Sequence, residues 1–530
     1  MDIYLFAVSM AIFAGVFTFL GYLGYKKTKT AEDYYIAGRR MGPIIIAFSY
    51  GATFISAVAL IGFSGIASIY GQSLLWLAFL NIFVGILIAF IFYGFRTRKM
   101  GLSLKAVTLP ELLGNRFNSK KLQATSGAII AFFMIFYTTA VFLAVSTLFE
   151  VTFGIPYWIC VVIFTLVVGI YLIVGGLYAV MWTHAIQGVV MVVGMIILTV
   201  GIYWMLGGLV PAHEAAAALT PEALTGIGSP AATQAPNGLT SIPPVGSAPF
   251  MLLLTLVFGV GIGVLAQPQL IVRYLSAKSE NALRRAIPYG GVFILLMTFT
   301  AFSIGPLCNV IMVNNGLTYP TKIVAGATVA NPDAVVPLIV NELFPAWFVV
   351  LFLFAILSAA MSTASALFHS AGASIGRDVC EKGIMKKCSE KQSMKITRIA
   401  TFIIVIATLI LSLNPPDVVA ILTSFFFGLM ACTFLAPYTL MLYWKKTSRT
   451  GAWIGMLGGF IFTMLWYALI YFKTAPQIIE KSLTDNYIIN MLDPIFIGLP
   501  LSFLLVIIFS YIFKQDNKEI SSMKLAFENI

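Results

Sequence analysis

The sequence is poor in charged residues. Asp, Glu, Lys and Arg together make up 10% of its 530 residues, and there are only 3 histidines. A soluble chain of ordinary composition is about a quarter charged, so this composition excludes a large soluble domain. Because 60% of the residues are hydrophobic, the sequence predicts an all-α integral membrane protein.

Cysteine is also sparse, and the 5 cysteines are scattered without close spacing. Neither a disulfide framework nor a zinc site is predicted from such a pattern. No phosphate-binding loop, metal-ligand spacing or nucleophile–base pair stands in a plausible place. We therefore expect no enzyme activity and no organic cofactor. A charged ring or a repeated filter motif is missing as well, which leaves a channel as a less favoured alternative.

Long apolar stretches dominate the sequence instead. About 20 apolar residues can cross a bilayer as a helix, and thirteen such stretches are predicted. The first is expected to remain as a helix, because Asp2 stands where a signal peptide would carry basic residues. The predicted spans are 3–25, 42–68, 73–95, 124–149, 157–175, 184–207, 249–271, 287–313, 346–372, 396–413, 417–443, 450–472 and 491–513.

Basic residues are unevenly divided between the two sides of this arrangement. Only Lys322, Lys473 and Lys481 fall on one side, so 29 of the 32 basic residues (32 − 3 = 29) lie on the other. Positive charge marks the cytoplasmic side, so we expect an outside N-terminus and a cytoplasmic C-terminus in the plasma membrane. The asymmetry accounts for the net charge of +12. No nucleic-acid partner and no obligate protein partner are indicated.

Two predicted spans contain helix-breaking residues at matching positions in two halves of the chain. Span 42–68 carries Gly51, Gly62 and Gly65 around the segment 52–57, and span 249–271 contains three glycines followed by Gln267–Pro268. Paired broken helices are typical of transporters built on inverted repeats. The predicted regions are an N-terminal helix and loop (1–41), a first repeat (42–207), an extracellular loop (208–248), a second repeat (249–443) and two C-terminal helices with a tail (444–530).

A cluster of neutral oxygens is predicted in the ninth span. The hydroxyls of Ser362 and Thr363 can bend back toward the carbonyl of Ala359. Such oxygens suit a small hard cation, whereas Ser358 or Ser365 alone would more simply serve packing. No Asp or Glu occupies a span centre. Sodium is therefore favoured over a proton as coupling ion, and a proton-coupled symporter of similar solutes is the alternative.

Three other polar residues near these spans are predicted to have structural roles. Arg273 is expected just past the cytoplasmic end of its helix. His184 is expected at a cytoplasmic boundary and His369 near the inner end of the ninth span, where both would cap or pack.

Eight segments spread along the chain match, in order, those of a known transporter family. They are Glu32–Pro43, Ala52–Ala57, Gly62–Gly65, Thr108–Phe117, Gly175–Gly188, Gln267–Leu275, Ser358–Ala366 and Tyr443–Ala452. On these segments the chain resembles the sodium:solute symporter family over nearly its whole length. The resemblance implies thirteen helices, two inverted five-helix repeats formed by spans 2–6 and 7–11, alternating access and sodium-coupled uptake.

The resemblance also implies the ligands of a sodium ion and a region for the solute. The sodium ligands would be backbone carbonyls of the first broken helix together with one carbonyl and two hydroxyls of the ninth span. They are Ala52, Ile55, Ala359, Ser362 and Thr363. The candidate solute-binding residues are Thr53, Ser56, Phe63, Val260, Val264, Gln267 and Ser424.

The chain departs from the family at several of these positions. Phe54 stands where relatives carry a polar residue, and His184 replaces the aspartate of a Trp-Thr-Asp signature. Sugar carriers place polar groups where this chain has apolar residues, at Val58, Ala59, Ala78 and Val260. A sugar is therefore disfavoured, because it needs dense hydrogen bonding. Val260 and Val264 also stand where the proline carrier has aromatic pocket residues, which makes proline less favoured too. A small monocarboxylate, an amino acid such as proline, or pantothenate is predicted instead.

Overall fold

A computed structural model describes residues 3–233, 237–324, 327–385, 388–414, 419–471 and 492–528. Lys473 and Lys481, and the predicted span ends at 417, 472 and 491, lie outside these residues. The described residues form an almost entirely helical structure, as predicted, with one small hairpin of strands Thr321–Val324 (β1) and Ala327–Ala330 (β2). The two strands pair antiparallel, with Thr321 opposite Ala330.

The α-helices are numbered in chain order. They are Ile3–Lys27 (α1), Ala31–Ile36 (α2), Pro43–Phe54 (α3), Ser64–Tyr70 (α4), Leu75–Ile82 (α5), Phe95–Ser103 (α6), Leu109–Arg116 (α7), Lys120–Phe153 (α8), Tyr157–Met205 (α9), Leu209–Ala217 (α10), Pro221–Gly226 (α11), Ala248–Gly263 (α12), Pro268–Leu275 (α13), Glu280–Asn315 (α14), Val335–Leu343 (α15), Ala346–Ala373 (α16), Glu390–Leu413 (α17), Val419–Met430 (α18), Ala436–Tyr443 (α19), Arg449–Trp466 (α20), Ile495–Ile512 (α21) and Asn517–Phe527 (α22).

Shorter helical segments of other pitch connect several of these helices. The π-helical segments are Val58–Phe63, Phe83–Gly94, Ser374–Ile384, Ala431–Leu435 and Tyr467–Tyr471. The 3₁₀ segments are Ala37–Arg39, Gly71–Leu74, Pro230–Thr233, Val264–Ala266 and Pro332–Ala334.

Ten helical runs among the described residues are long and apolar enough to cross a membrane. Three shorter apolar helices, Met10–Gly24, Pro43–Phe54 and Tyr157–Gly169, lie within the first, second and fifth predicted spans. The structure therefore agrees with a multi-pass helical membrane protein, while the number thirteen stays a prediction.

Both predicted helix interruptions are confirmed. After α3, Ile55 is extended (φ −86°, ψ 95°) and the helix resumes just beyond Ser56. After α12 and a short 3₁₀ turn, Gln267 is extended (φ −79°, ψ 112°) and Pro268 starts α13. Proline suits a first helical position because its missing N–H would have no helical partner there. Each of the two predicted repeats thus begins with a broken helix.

A third bend lies where the fifth and sixth spans were predicted to be separate. The structure has one helical run, α9, bent at Gly176, whose φ is 61° and ψ −178°. Glycine adopts this conformation at no steric cost. Gly176 also lies against Tyr34, since a Cβ added at Gly176 would be 2.9 Å from Tyr34 Cδ2. The predicted loop between these spans is therefore a kink.

Helix α16 lies in the middle of the fold and is almost completely buried. It packs against α8, α9, α3 and α17. Small residues bring the neighbouring helices close, since an added Cβ at Gly194 of α9 would lie 2.7 Å from the Ala355 Cβ. Such close approach is how helices associate in lipid, and here it brings α9 against the middle of α16.

Candidate ion and solute site

Oxygen atoms from α3 and α16 converge where α3 ends. The Ser362 hydroxyl donates to the carbonyls of Ala52 at 2.7 Å and of Ala359 at 2.9 Å. The Thr363 hydroxyl lies 3.1 Å from the Thr53 carbonyl and 3.4 Å from that of Ala52. All five residues are buried. The structure thus brings together four of the five predicted sodium-site residues.

The helix break explains why these carbonyls are available. The last carbonyls of a helix have no intrahelical N–H partner, and they form the negative end of the helix dipole. The C-terminal end of α3 is buried at Phe54, so the α16 hydroxyls supply the hydrogen bonds that its carbonyls lack. Two hydroxyls and several carbonyls with partial negative charge can replace part of the water shell of a small cation.

The fifth predicted sodium residue, Ile55, lies in the extended break directly after α3. Its backbone N–H donates to the Gly51 carbonyl at 2.7 Å. The Thr53 carbonyl, by contrast, accepts from the Thr363 hydroxyl of α16, although Thr53 was predicted to contact the solute. No sequence pattern showed which carbonyl of the last turn would face α16.

Arg273 and His184 lie beside this oxygen cluster, and both earlier placements are wrong. Arg273 lies within α13 rather than past its end, and its guanidinium is fully buried. It donates to the Thr53 hydroxyl at 2.9 Å, to the Ser49 hydroxyl at 3.3 Å and to the Gln269 carbonyl. A buried charge with this many polar partners was not expected from an apolar helix.

His184 is buried within the same hydrogen-bonded group. Its Nδ1 lies 3.2 Å from the Thr53 hydroxyl and 3.5 Å from Arg273 Nη2, and its Nε2 lies 2.9 Å from the Ser365 hydroxyl. Since a guanidinium can only donate, Nδ1 must accept. We therefore assign the proton to Nε2, which makes the imidazole neutral and a donor to Ser365. Ser365 in turn donates to the Ser362 carbonyl at 3.1 Å.

An apolar wall lies on another side of the α3 break. An added Cβ at Gly85 would lie 3.1 Å from the Phe54 ring and 3.6 Å from Val264 Cγ1, so these three residues meet closely. The Phe54 ring lies 6.4 Å from that of Phe427, which is 5.3 Å from the Tyr137 ring. Val264 of the predicted solute set belongs to this wall, whereas Phe54 was noted only as a departure.

The other predicted solute residues divide among different surroundings. Ser56 accepts the Val58 N–H at 3.1 Å and so begins the second half of the broken helix. The Gln267 amide donates to the Gly263 carbonyl at 2.9 Å. Ser424 lies 3.4 Å from the Thr255 carbonyl of α12.

The last two predicted solute residues are apolar. The Phe63 ring packs 6.1 Å from that of Phe302 on α14. Val260 is buried one turn before Val264. Of the predicted solute residues, Thr53 and Ser56 therefore lie at the α3 break, and Val264 lies close to Phe54 beside it.

The family model for the sodium:solute symporter family matches residues 34–459. The chain belongs to the sodium:solute symporter family. Among similar curated proteins, the osmoregulated proline transporter OpuE of Bacillus subtilis (strain 168) is 26% identical, over 87% of this chain and 88% of its own. The sodium/proline symporter of Staphylococcus aureus (strain JH9) is 28% identical, over 87% and 86%.

Solved structures show the same fold for this symporter. A Na⁺-coupled sialic acid symporter in its substrate-bound outward-open state superposes with a TM-score of 0.71 at 20% identity, covering 96% of this chain and 97% of its own. The inward-facing conformation of Mhp1 gives 0.51 at 13% identity, covering 94% and 96%. The core of two inverted repeats with broken helices is therefore the architecture of this chain.

Proposed function

We propose that this symporter carries a small organic solute into the cell together with sodium, by alternating access. Sodium would bind to the Ala52, Ile55 and Ala359 carbonyls and the Ser362 and Thr363 hydroxyls. The solute would lie next to it at the α3 break. Membership of a sodium-coupled family and the similarity to two proline transporters support this function.

The observation that carries the proposal is the convergence of α3 carbonyls and α16 hydroxyls. Ser362 bridges the two helices, because its hydroxyl reaches the Ala52 carbonyl on α3 and the Ala359 carbonyl on α16. An ion bound between them would hold the two helices together more tightly than these hydrogen bonds. Since α3 and α16 belong to different repeats, sodium binding could thereby favour one arrangement of the repeats over another.

The solute is expected to be small and partly apolar. Phe54, Val264 and Phe427 supply an apolar wall, while Thr53 and the helix ends supply polar contacts. A monocarboxylate, an amino acid such as proline, or pantothenate fits these surroundings. A sugar would leave several buried hydroxyls without partners, each costing about 1–3 kcal/mol.

Uptake by the purified protein in proteoliposomes tests the proposal. Radiolabelled pyruvate, pantothenate, proline and glucose would be offered with an inward sodium gradient, an inward proton gradient, or neither. We expect accumulation of at least one of the first three with the sodium gradient alone. Accumulation driven by the proton gradient without sodium would instead establish the alternative, a proton-coupled symporter.

We further propose that the N-terminus lies outside and the C-terminus in the cytoplasm of the cell membrane, with the five regions bounded at 41, 207, 248 and 443. Glu222 and Lys395 are exposed on opposite predicted sides. Cysteine at position 222, but not at 395, should react with an impermeant thiol reagent in intact cells, after Cys380 and Cys388 have been replaced. The reverse pattern would invert the topology.

A further inference from the structure

Arg273 brings a positive charge into the middle of the transporter. Its side chain is completely buried. Its hydrogen-bond acceptors among the described residues are all neutral: the hydroxyls of Ser49 and Thr53, the Gln269 carbonyl and His184 Nδ1. Burying a charge without an opposite partner is costly, so a buried arginine kept in this setting needs an explanation.

The local hydrogen bonds distribute this charge but do not cancel it. His184 is held as the neutral tautomer, because its Nδ1 accepts and its Nε2 donates to Ser365. Arg273 lies in the last turn of α13, and Thr53 lies in the last turn of α3. Helix C-termini carry a partial negative charge, so the two helix ends stabilise the guanidinium without neutralising it.

The buried carboxylates of the described residues contact other parts of the fold. Glu111 pairs with Arg377, Asp33 with Arg40 and Glu519 with Arg449. Asp378 accepts from Thr108 and Gln123, and Asp493 accepts from Tyr467. Asp333 is in the Pro332–Ala334 segment, which packs against α4. The region around the α3 break therefore carries one positive charge before any ion binds, and two once sodium is bound.

We propose, on the basis of the function given above, that the transported solute is a monocarboxylate without an amino group, and that Arg273 is the residue that sets this charge preference. A carboxylate lying between the apolar wall and the end of α3 is stabilised by the field of both positive charges. An ammonium group in the same space is repelled by both. Arg273 acts through Thr53, which it contacts at 2.9 Å, and does not itself touch the solute.

Matched pairs of probes isolate the effect of charge. Pyruvate is compared with its uncharged amide, pyruvamide, and pantothenate with its uncharged alcohol, panthenol; proline is the zwitterion. Each competes with sodium-driven uptake of the labelled anion in proteoliposomes. A charge pair within about 10 Å at an effective dielectric constant of about 20 changes an equilibrium by on the order of tenfold. We expect at least one anion to compete about tenfold better than its uncharged partner and better than proline.

Variants then assign the effect to Arg273. Arg273→Gln should reduce the advantage of the anion over its uncharged partner to less than about threefold, whereas Arg273→Lys should keep most of it. His184→Asp places a carboxylate beside the guanidinium and should shift the preference toward proline. Arg116→Gln is the matched control: it removes another fully buried guanidinium, on α7, and should leave the preference unchanged.

The outcomes separate this inference from the proposed function. Sodium-driven proline uptake that neither anion inhibits would overturn the inference and leave the function intact. Equal competition by an anion and its uncharged partner in the wild-type protein would overturn it without any variant. Sodium-dependent thermal stabilisation would show that the Arg273→Gln variant is folded. If the anion kept its advantage over its uncharged partner in that variant, Arg273 would not set the charge preference. If no sodium gradient drives uptake of any probe, the proposed function itself fails.

Discussion

The two broken helices differ in how they satisfy the backbone groups that each break sets free. At the first break, the α3 carbonyls of Ala52 and Thr53 are satisfied by hydroxyls from another helix, α16. At the second, the Gln267 side chain turns back to the Gly263 carbonyl of its own segment. The carbonyls at the first break can therefore exchange their hydroxyl partners for an ion. At the second break, a side chain of the same segment already satisfies the carbonyl.

The two breaks also differ in charge. The α3 end presents carbonyl oxygens, whereas α13 presents the guanidinium of Arg273. The two regions meet at Thr53, whose carbonyl accepts from Thr363 and whose hydroxyl accepts from Arg273. The two breaks look equivalent in the sequence, but the first provides negatively polarised oxygens and the second a positive charge. This difference suits a protein that binds a cation and a solute side by side.

The largest expected effect is at the apolar wall that faces the first break. Val264→Trp should reduce uptake at least about a hundredfold, because Phe54 and Gly85 leave no room for an indole. Sodium-dependent thermal stabilisation should persist, since the ion ligands lie on α3 and α16. Val292→Trp on the exposed face of α14 is the control. Normal uptake by Val264→Trp would show that the solute binds elsewhere.

A moderate effect is expected at the second break. Gln267→Ala removes the donor to the buried Gly263 carbonyl, and an unsatisfied buried group costs about 1–3 kcal/mol. We expect a lower thermal stability of the purified protein and a nearly unchanged sodium concentration for half-maximal uptake. If the sodium dependence changed as strongly as the thermal stability, the Gln267–Gly263 hydrogen bond would be coupled to ion binding rather than purely structural.

The smallest effect is expected where the two regions meet. Thr53→Val removes the hydroxyl that accepts from Arg273 but keeps the backbone carbonyl that faces Thr363. The sodium concentration for half-maximal uptake should change less than about threefold, because the ligands proposed for the ion do not include the Thr53 hydroxyl. A change as large as that caused by loss of the α16 hydroxyls would mean that the Thr53 side chain binds the ion.

Much of this arrangement could be predicted from the sequence. The Gly-rich and Gln-Pro interruptions predicted both breaks, and the backward reach of Ser362 predicted its contact with Ala359. The positions of Arg273 and His184 could not be predicted, because they depend on how far the short helix α13 is rotated against α3 and α9. Periodicity gives the face of a helix, but only packing shows which neighbour that face meets. The Phe54 wall depends on a contact with Gly85 and Val264, which are distant in sequence.

Sodium dependence of a Ser362→Ala/Thr363→Ala double variant tests the central claim most directly. Loss of two ligands should raise the sodium concentration for half-maximal uptake at least about tenfold, since each contact contributes on the order of 1–3 kcal/mol. Ser358→Ala, one turn earlier on the same buried helix, should leave it unchanged. A well-folded double variant with wild-type sodium dependence would contradict the account.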